Sequence, residues 1–217
     1  MAVARAAEVI IGSPVVLVVG DPAAMTAGDA AVQAELTDTG YDVQVADDAA
    51  PSAVTSDTAV VVAAASADSI QLSSKYRDVP VGLVALGYGS WVGMGVTAGP
   101  GWAQNSTSNL LVVDSAHPIA NGLPQVFAPA NAATLLQSVS DAYVPASADT
   151  VAVRSGVTTA HVVYTMSAGD LRSDGTTTPA NRVALGLTDA TLADLSADGR
   201  QLLGNAINWP TSPRRRD

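Results

Sequence analysis

The sequence predicts a three-layer α/β fold with a mainly parallel sheet and a β-rich insertion around residues 105–170. Three observations carry this expectation. The apolar runs at residues 15–20, 58–65 and 79–86 are continuous rather than alternating, as in strands covered on both faces. Helical segments separate them in β-α-β-α-β order, the pattern of parallel strands joined by crossovers. Between Leu110 and Met166 the pattern changes to short β-like pieces divided by turn-rich loops, which reads as an antiparallel or irregular insertion beside the main sheet.

Each element has a local reason. VVLVVG at residues 15–20 is the first strand, and in the following GDPAAMTAGD either Thr26 or Asp29 is placed to cap a helix carrying Val32, Glu35 and Leu36. Gly40 ends that helix, and YDVQV at residues 41–45 is a short strand. Residues 58–65 form a buried strand, 67–76 a short helix and 79–86 the next strand. Residues 87–101 are Gly-rich, and no helix is written there. The β-like pieces lie at residues 110–113, 134–139, 150–154 and 161–166. NRVALGL at 181–187 restores a buried strand, and Ser196 is the expected cap of a final amphipathic helix reaching Trp209. The expected organisation is an N-terminal arm at 1–14, a single domain at 15–209 and a basic tail at 210–217.

Composition narrows the function classes. With 217 residues, 48% hydrophobic but only 4% aromatic, and Phe127 as the single Phe, the core must be built from Val, Ala and Leu. The net charge of -10, from 20 acidic and 10 basic residues, repels nucleic acid and anionic membranes. Lys75 is the only lysine beside freely used Arg, a bias that fits a high-GC genome. The absence of cysteine excludes disulfides, thiolate catalysis and Cys-based metal sites. Arg5 precedes an apolar run, but Glu8 and Pro14 interrupt it, so no export signal is expected.

Three segments carry a family resemblance. DSAHPIANGLP at residues 114–124 is similar to the His-Pro-Ile-x-x-Gly-Leu turn of ThuA-like proteins, a trehalose-utilisation branch of the class I glutamine amidotransferase-like, flavodoxin-like fold. NRVALGLTDATLADLSADGRQLLGNAINW at 181–209 resembles the closing strand, loop and helix of that group. VLVVGDPAAMTAGDAAVQAELTDTGYDVQVADD at 16–48 resembles its first β-α-β unit. The likeness runs from Val15 to Trp209 and is weakest at 128–170. In glutamine amidotransferases the corresponding strand reads roughly Pro-Val-Leu-Gly-Ile-Cys-Leu-Gly. Laying residues 80–87 against it puts Ala85 at the nucleophile, and an alanine methyl cannot attack a carbonyl. The resemblance therefore implies the fold without amidotransferase chemistry.

The candidate site residues have competing readings. Asp114, Ser115 and His117 are a Ser/His/Asp grouping, but residues this close in one turn are expected to shape that turn rather than form a triad. His161 sits in an apolar β-like run as a packed or rim histidine. Asp47 with Asp48, or Asp170 with Asp174, could offer oxygens to calcium, but neither follows an EF-hand loop, and a solvated face is expected. GMGVTA at 93–98 nominally satisfies a dinucleotide fingerprint in the wrong context, and residues 20–29 lack the glycines and basic residues of a phosphate loop. No cofactor or metal is expected. Tyr88, Trp91 and Trp102 concentrate the scarce aromatics beside a strand tip, either as a contact surface or as a plug in a lost active site. Arg214, Arg215 and Arg216 are candidates for an assembly contact.

The leading expectation is a non-enzymatic structural or adhesive surface module that meets a protein partner or further copies of itself. A virion offers one setting, as a phage capsid decoration bound to capsid proteins. The alternative, implied by the resemblance, is a carbohydrate-binding or sugar-processing protein. It requires Tyr88, Trp91, Trp102 and His117 or His161 to converge on one cleft. A flavin or nucleotide site is a third option.

Overall fold

The computed structural model describes residues 12–99, 102–105 and 109–211. β1 (Pro14–Val19) pairs in parallel with β2 (Asp42–Asp47) on one side and β3 (Val60–Ala63) on the other. β3 pairs with β4 (Gly82–Leu86), and β4 pairs in parallel with β11 (Arg182–Leu185). Alternate strand residues point to opposite faces. Val15, Leu17 and Val19 enter one core layer while Val16 and Val18 enter the other, which is why the apolar runs are continuous.

Helices cover the first face. α1 (Ala27–Asp38) begins at Thr26, with the reciprocal Thr26–Asp29 bonds of a capping box, so both residues expected at its start take part. α4 (Ala197–Thr211) packs Leu203, Ala206 and Ile207 into the same layer, and the Ser196 hydroxyl accepts from the Gly199 amide as expected of its cap. The boundary expected at Trp209 is too early. Pro210 is buried in α4, and a Cβ on Gly82 would lie 2.7 Å from the Pro210 Cβ, so the end of α4 seals the start of β4. Residues 1–11 of the expected arm and the tail arginines Arg214, Arg215 and Arg216 lie outside the described residues.

The second face is covered by α2 (Ser69–Leu72) and the loop after β4. The helix expected at residues 67–76 is reduced to this one turn, because Ser73 leaves helical geometry at φ 45°, ψ -125°.

The β-rich part differs most from expectation. It extends the main sheet instead of lying beside it. β10 (Val157–Met166) pairs antiparallel with β11, and on its other edge with β9 (Asp149–Arg154). β6 (Leu110–Val112) adds to β9, and β7 (Val126–Phe127) to β6, giving the order β2-β1-β3-β4-β11-β10-β9-β6-β7. β8 (Leu136–Ser140) takes over from β11 along β10, and β5 (Trp102–Asn105) pairs with β8. The length of β10 and the irregularities in its pairing with β9 let one strand join the two halves. β5, β7 and the one-turn α3 (Asp189–Leu192), capped by Thr188, have no counterpart in the expected pattern.

Arg182 ties the entry of β4 to β11. Its fully buried guanidinium donates to the carbonyls of Val79 (2.7 Å), Val81 (2.8 Å), Arg77 (3.2 Å) and Asn181 (3.1 Å). Burial, with some repulsion from Arg172, pulls its pKa down to about 10. Arg172 is itself paired with Asp78 at 2.7 Å. Among the described residues no helix is long and apolar enough to cross a membrane.

Candidate functional site

In an open parallel sheet, ligands bind beyond the carboxyl ends of the strands, at the point where the strand order reverses. Here that point lies between β1 and β3, and the chain's own groups close it. The Gly20 amide donates to the Ser66 hydroxyl (3.2 Å), which donates to the Asp29 carboxylate (2.7 Å). Asp29 also accepts from the Thr26 amide (3.0 Å), and the Thr26 hydroxyl donates to Asp189. The two loops approach so closely that a Cβ on Gly20 would sit 2.8 Å from the Ser66 carbonyl oxygen. The start of α1, where a phosphate would seek backbone amides, is thus occupied by two carboxylates of the protein itself.

The tip of β4 is filled from below. Ala85 lies inside the ladder, level with Ala63 and Ala184, and has no exposed surface. The chain turns at Gly87, two residues later, with φ 74°. Neither position carries a nucleophile. Tyr88–Ser90 forms a 3-10 turn, held by a bond from the Ser90 hydroxyl to the Gly87 carbonyl (3.1 Å). Trp91 then drops into the second core layer, where its indole N–H donates to the Ala85 carbonyl at 2.9 Å. Its ring meets Tyr88 and Tyr164 edge-on, at centroid distances of 5.8 Å and 5.5 Å. The Tyr88 hydroxyl donates to the Gly99 carbonyl (3.0 Å), and burial raises its pKa.

Among the described side chains, the residues singled out in the sequence do not share one cleft. Trp91 is a core side chain with 0% exposure, and Tyr88 retains only 8%. Trp102 contributes its backbone to β5, and its side chain lies outside the described residues. His117 belongs to the opposite face. Its Nδ1 accepts from the Ile119 amide (3.1 Å), its Nε2 lies 3.3 Å from the Thr165 hydroxyl, and its ring packs on Trp209 at 5.3 Å. Desolvation holds its pKa below the usual histidine range, partly opposed by Asp114 and Asp149. Asp114 accepts from the Ala116 amide (3.0 Å), so the 114–117 segment is a self-bonded turn.

His161 stands apart on β10. Its Nδ1 meets the Thr150 hydroxyl at 2.8 Å and its Nε2 meets Asp141 at 2.5 Å. This hydroxyl–imidazole–carboxylate chain has the connectivity of a triad, but its carboxylate is 67% exposed and none of its members lines the groove described below. It joins β9, β10 and the turn after β8.

The expected calcium candidates are committed locally. Asp47 accepts from Ala49 (2.7 Å), Asp48 from Asp68 (2.5 Å), Asp170 from Ser167 (2.5 Å), and Asp174 from Thr176 (3.0 Å). Among the described residues no cluster of three or more His, Asp or Glu side chains is arranged to hold a metal ion.

One open groove, of about 640 Å³, does lie at the carboxyl end of β3 and β4. Ser69, Ser73, Ser74 and Arg77 form one wall, and Tyr88, Gly89, Val92 and Gly93 the other. Gln137 of β8 and Ala65 complete the lining. Ser73 is the one non-glycine among the described residues at positive φ, a conformation that costs roughly 1–3 kcal/mol and concentrates at functional sites. Gly93 lets the walls meet, since a Cβ there would overlap the Ser73 carbonyl oxygen. Of the groove residues only Tyr88 stands out in the sequence. The serine-rich SADSIQLSSK at residues 66–75 has the pattern of a helix, although its place after a buried strand is where chemistry is held.

No protein-family model matches the chain, and no curated protein matches it in sequence. Its backbone is similar to solved structures. A ThuA-like protein from Parabacteroides merdae ATCC 43184 superposes with TM-score 0.60 at 15% identity, covering 92% of this chain and 90% of that one. A ThuA-like protein from Bacteroides uniformis ATCC 8492 gives TM-score 0.55 at 11% identity, covering 91% of each. A GMP synthase subunit from Thermoplasma acidophilum gives 0.54 at 12% identity, covering 90% of this chain and 92% of that one. The architecture is that of the ThuA-like, glutamine amidotransferase-like fold, with its flavodoxin-like parallel sheet.

Proposed function

We propose that this chain uses the ThuA-like fold without nucleophilic chemistry, as a structural or adhesive module that acts through its surface. One observation carries the reading: Trp91 fills the layer beneath the β4 tip and bonds the Ala85 carbonyl where an amidotransferase would present its cysteine. The chain contains no cysteine to take that place, and the β1–β3 crevice is closed by Ser66 and Asp29. Apolar side chains on the same end of the sheet face outward, Ile70 at 82% exposure and Val92 at 44%, and supply contact area for a protein partner or a further copy.

The sugar-processing alternative needs exposed aromatic platforms, and the burial of Trp91 removes the main one. The capsid setting has no support from the fold or from its structural relatives. The test has two arms. Concentrated protein incubated with L-glutamine, and separately with a panel of glycosides and esters, is expected to release no product above the blank. Turnover that survives repurification would overturn the non-catalytic reading. Light scattering across a concentration series is expected to show a mass above that of one chain, and a monomer throughout would overturn the self-associating version.

A further inference from the structure

We propose that the groove at the carboxyl end of β3 and β4 binds a small polyhydroxylated carboxylate, with Gln137 and Arg77 meeting the carboxylate and the serines meeting the hydroxyls. The orientation of Gln137 is set by the chain itself. The Tyr88 amide donates to its Oε1 at 2.5 Å, so the amide must turn its NH2 the other way. Among the described residues neither hydrogen of that NH2 finds an acceptor, and the hydroxyls of Ser69, Ser73 and Ser74 make no hydrogen bond within the protein. Arg77 pairs with Asp174 through one nitrogen, which leaves further N–H groups of its fork.

The wall is therefore rich in donors, and its one dedicated acceptor, the Gln137 oxygen, is already used. Among the described residues no carboxylate lines it, although the chain carries 20 acidic residues. A cationic ligand finds no counter-charge there. A fully charged phosphate would meet an arginine whose charge is already paired with Asp174. A single carboxylate matches the remaining donors, the ambivalent serine hydroxyls match an alcohol, and Val92 covers the carbon skeleton. The volume of about 640 Å³ falls in the usual range for small-molecule sites. Ser73, held in its unusual backbone conformation, lines the same groove as Gln137.

The test titrates the full chain with sodium D-gluconate, followed by amide chemical shifts and calorimetry, beside sorbitol, acetate and inorganic phosphate. Gluconate is expected to bind with a dissociation constant on the order of 1 mM, at least about tenfold tighter than the other three, with shifts centred on residues 69–77 and 137. Gln137→Glu keeps an acceptor for the Tyr88 amide but removes both donors and adds a negative charge. It is expected to weaken gluconate about tenfold or more while leaving the thermal midpoint nearly unchanged. No saturable shift at tens of millimolar, equal binding of sorbitol, acetate or phosphate, or unchanged binding by Gln137→Glu each overturns the assignment. Failure of the site and failure of the non-catalytic reading are distinguishable: turnover of bound gluconate would end that reading and leave the site in place.

Discussion

The indole N–H of Trp91 donates to the carbonyl of Ala85 at 2.9 Å, so the loop after β4 is pinned to the strand it leaves. Trp91→Ala is expected to cost about 3–5 kcal/mol, because it opens a cavity beside Tyr88 and Tyr164 as well as losing the bond. Trp91→Phe keeps most of the packing and loses only the indole bond, since the register of β4 with β11 leaves the Ala85 carbonyl its ladder partner, and about 0.5–1.5 kcal/mol is expected. Urea denaturation followed by circular dichroism separates the two; a loss below about 1 kcal/mol for both variants would show that the loop is not pinned in this way.

Gly199→Ala is expected to reverse the usual helix rule. Alanine in a helix interior ordinarily gains about 1 kcal/mol over glycine. At this position in α4 the new Cβ would overlap the Pro129 carbonyl oxygen and lie 3.0 Å from Leu195 Cδ2. A net loss of about 1–3 kcal/mol is expected, read as a lower thermal midpoint.

Ser73→Gly is expected to stabilise the fold by about 1 kcal/mol, since glycine accepts φ 45° without a Cβ clash. Ser73→Ala keeps the strain and should show no gain. Calorimetric midpoints of the two variants decide whether strain or the hydroxyl governs stability.

His117 contributes a pH dependence of known sign. Its neutral form is favoured in the fold, because desolvation lowers its pKa and its Nδ1 must stay unprotonated to accept from the Ile119 amide. The unfolded chain takes up the proton first, near the ordinary value of 6.5. The contribution is therefore complete above that value and is lost as pH falls through the lowered folded one. Asp78 and Asp194 are also lowered, from 3.8, so their contributions fade in a more acidic range. His117→Asn offers a non-titrating acceptor to the same amide. Its urea midpoint is expected to fall less than the wild type's between about pH 7.5 and pH 5.5; parallel falls would remove His117 as the cause.

The parallel half of the fold is legible because its physics is local. Val15 and Val16 face different core layers, and only a strand covered on both sides asks for an apolar residue at every position. The Thr26 and Ser196 caps announce their helices in the same way. β5 carries the exposed Ala103 and Gln104 and has no periodicity to read, while β7 is only two residues long. The union of the antiparallel strands with the main sheet depends on pairings between residues far apart in the chain, such as Tyr164 with Ala184. The groove is hidden from the sequence for the same reason: Gln137 reaches the serine loop only because β8 continues the edge that β11 leaves. Burial of Trp91 has no local signal, since an aromatic residue among glycines can equally sit on a surface.

β11 is the last strand among the described residues, yet it sits between β4 and β10 in the middle of the sheet. During synthesis the β1–β4 segment emerges first, with the apolar edge of β4 unpaired. It must wait until β11 has left the ribosome before the antiparallel half can be joined to it. Closure of the sheet thus waits for all the chain between β4 and β11, and the nascent protein carries an unpaired edge over that interval. A chaperone that shields this edge would act on the order of assembly rather than on the final stability.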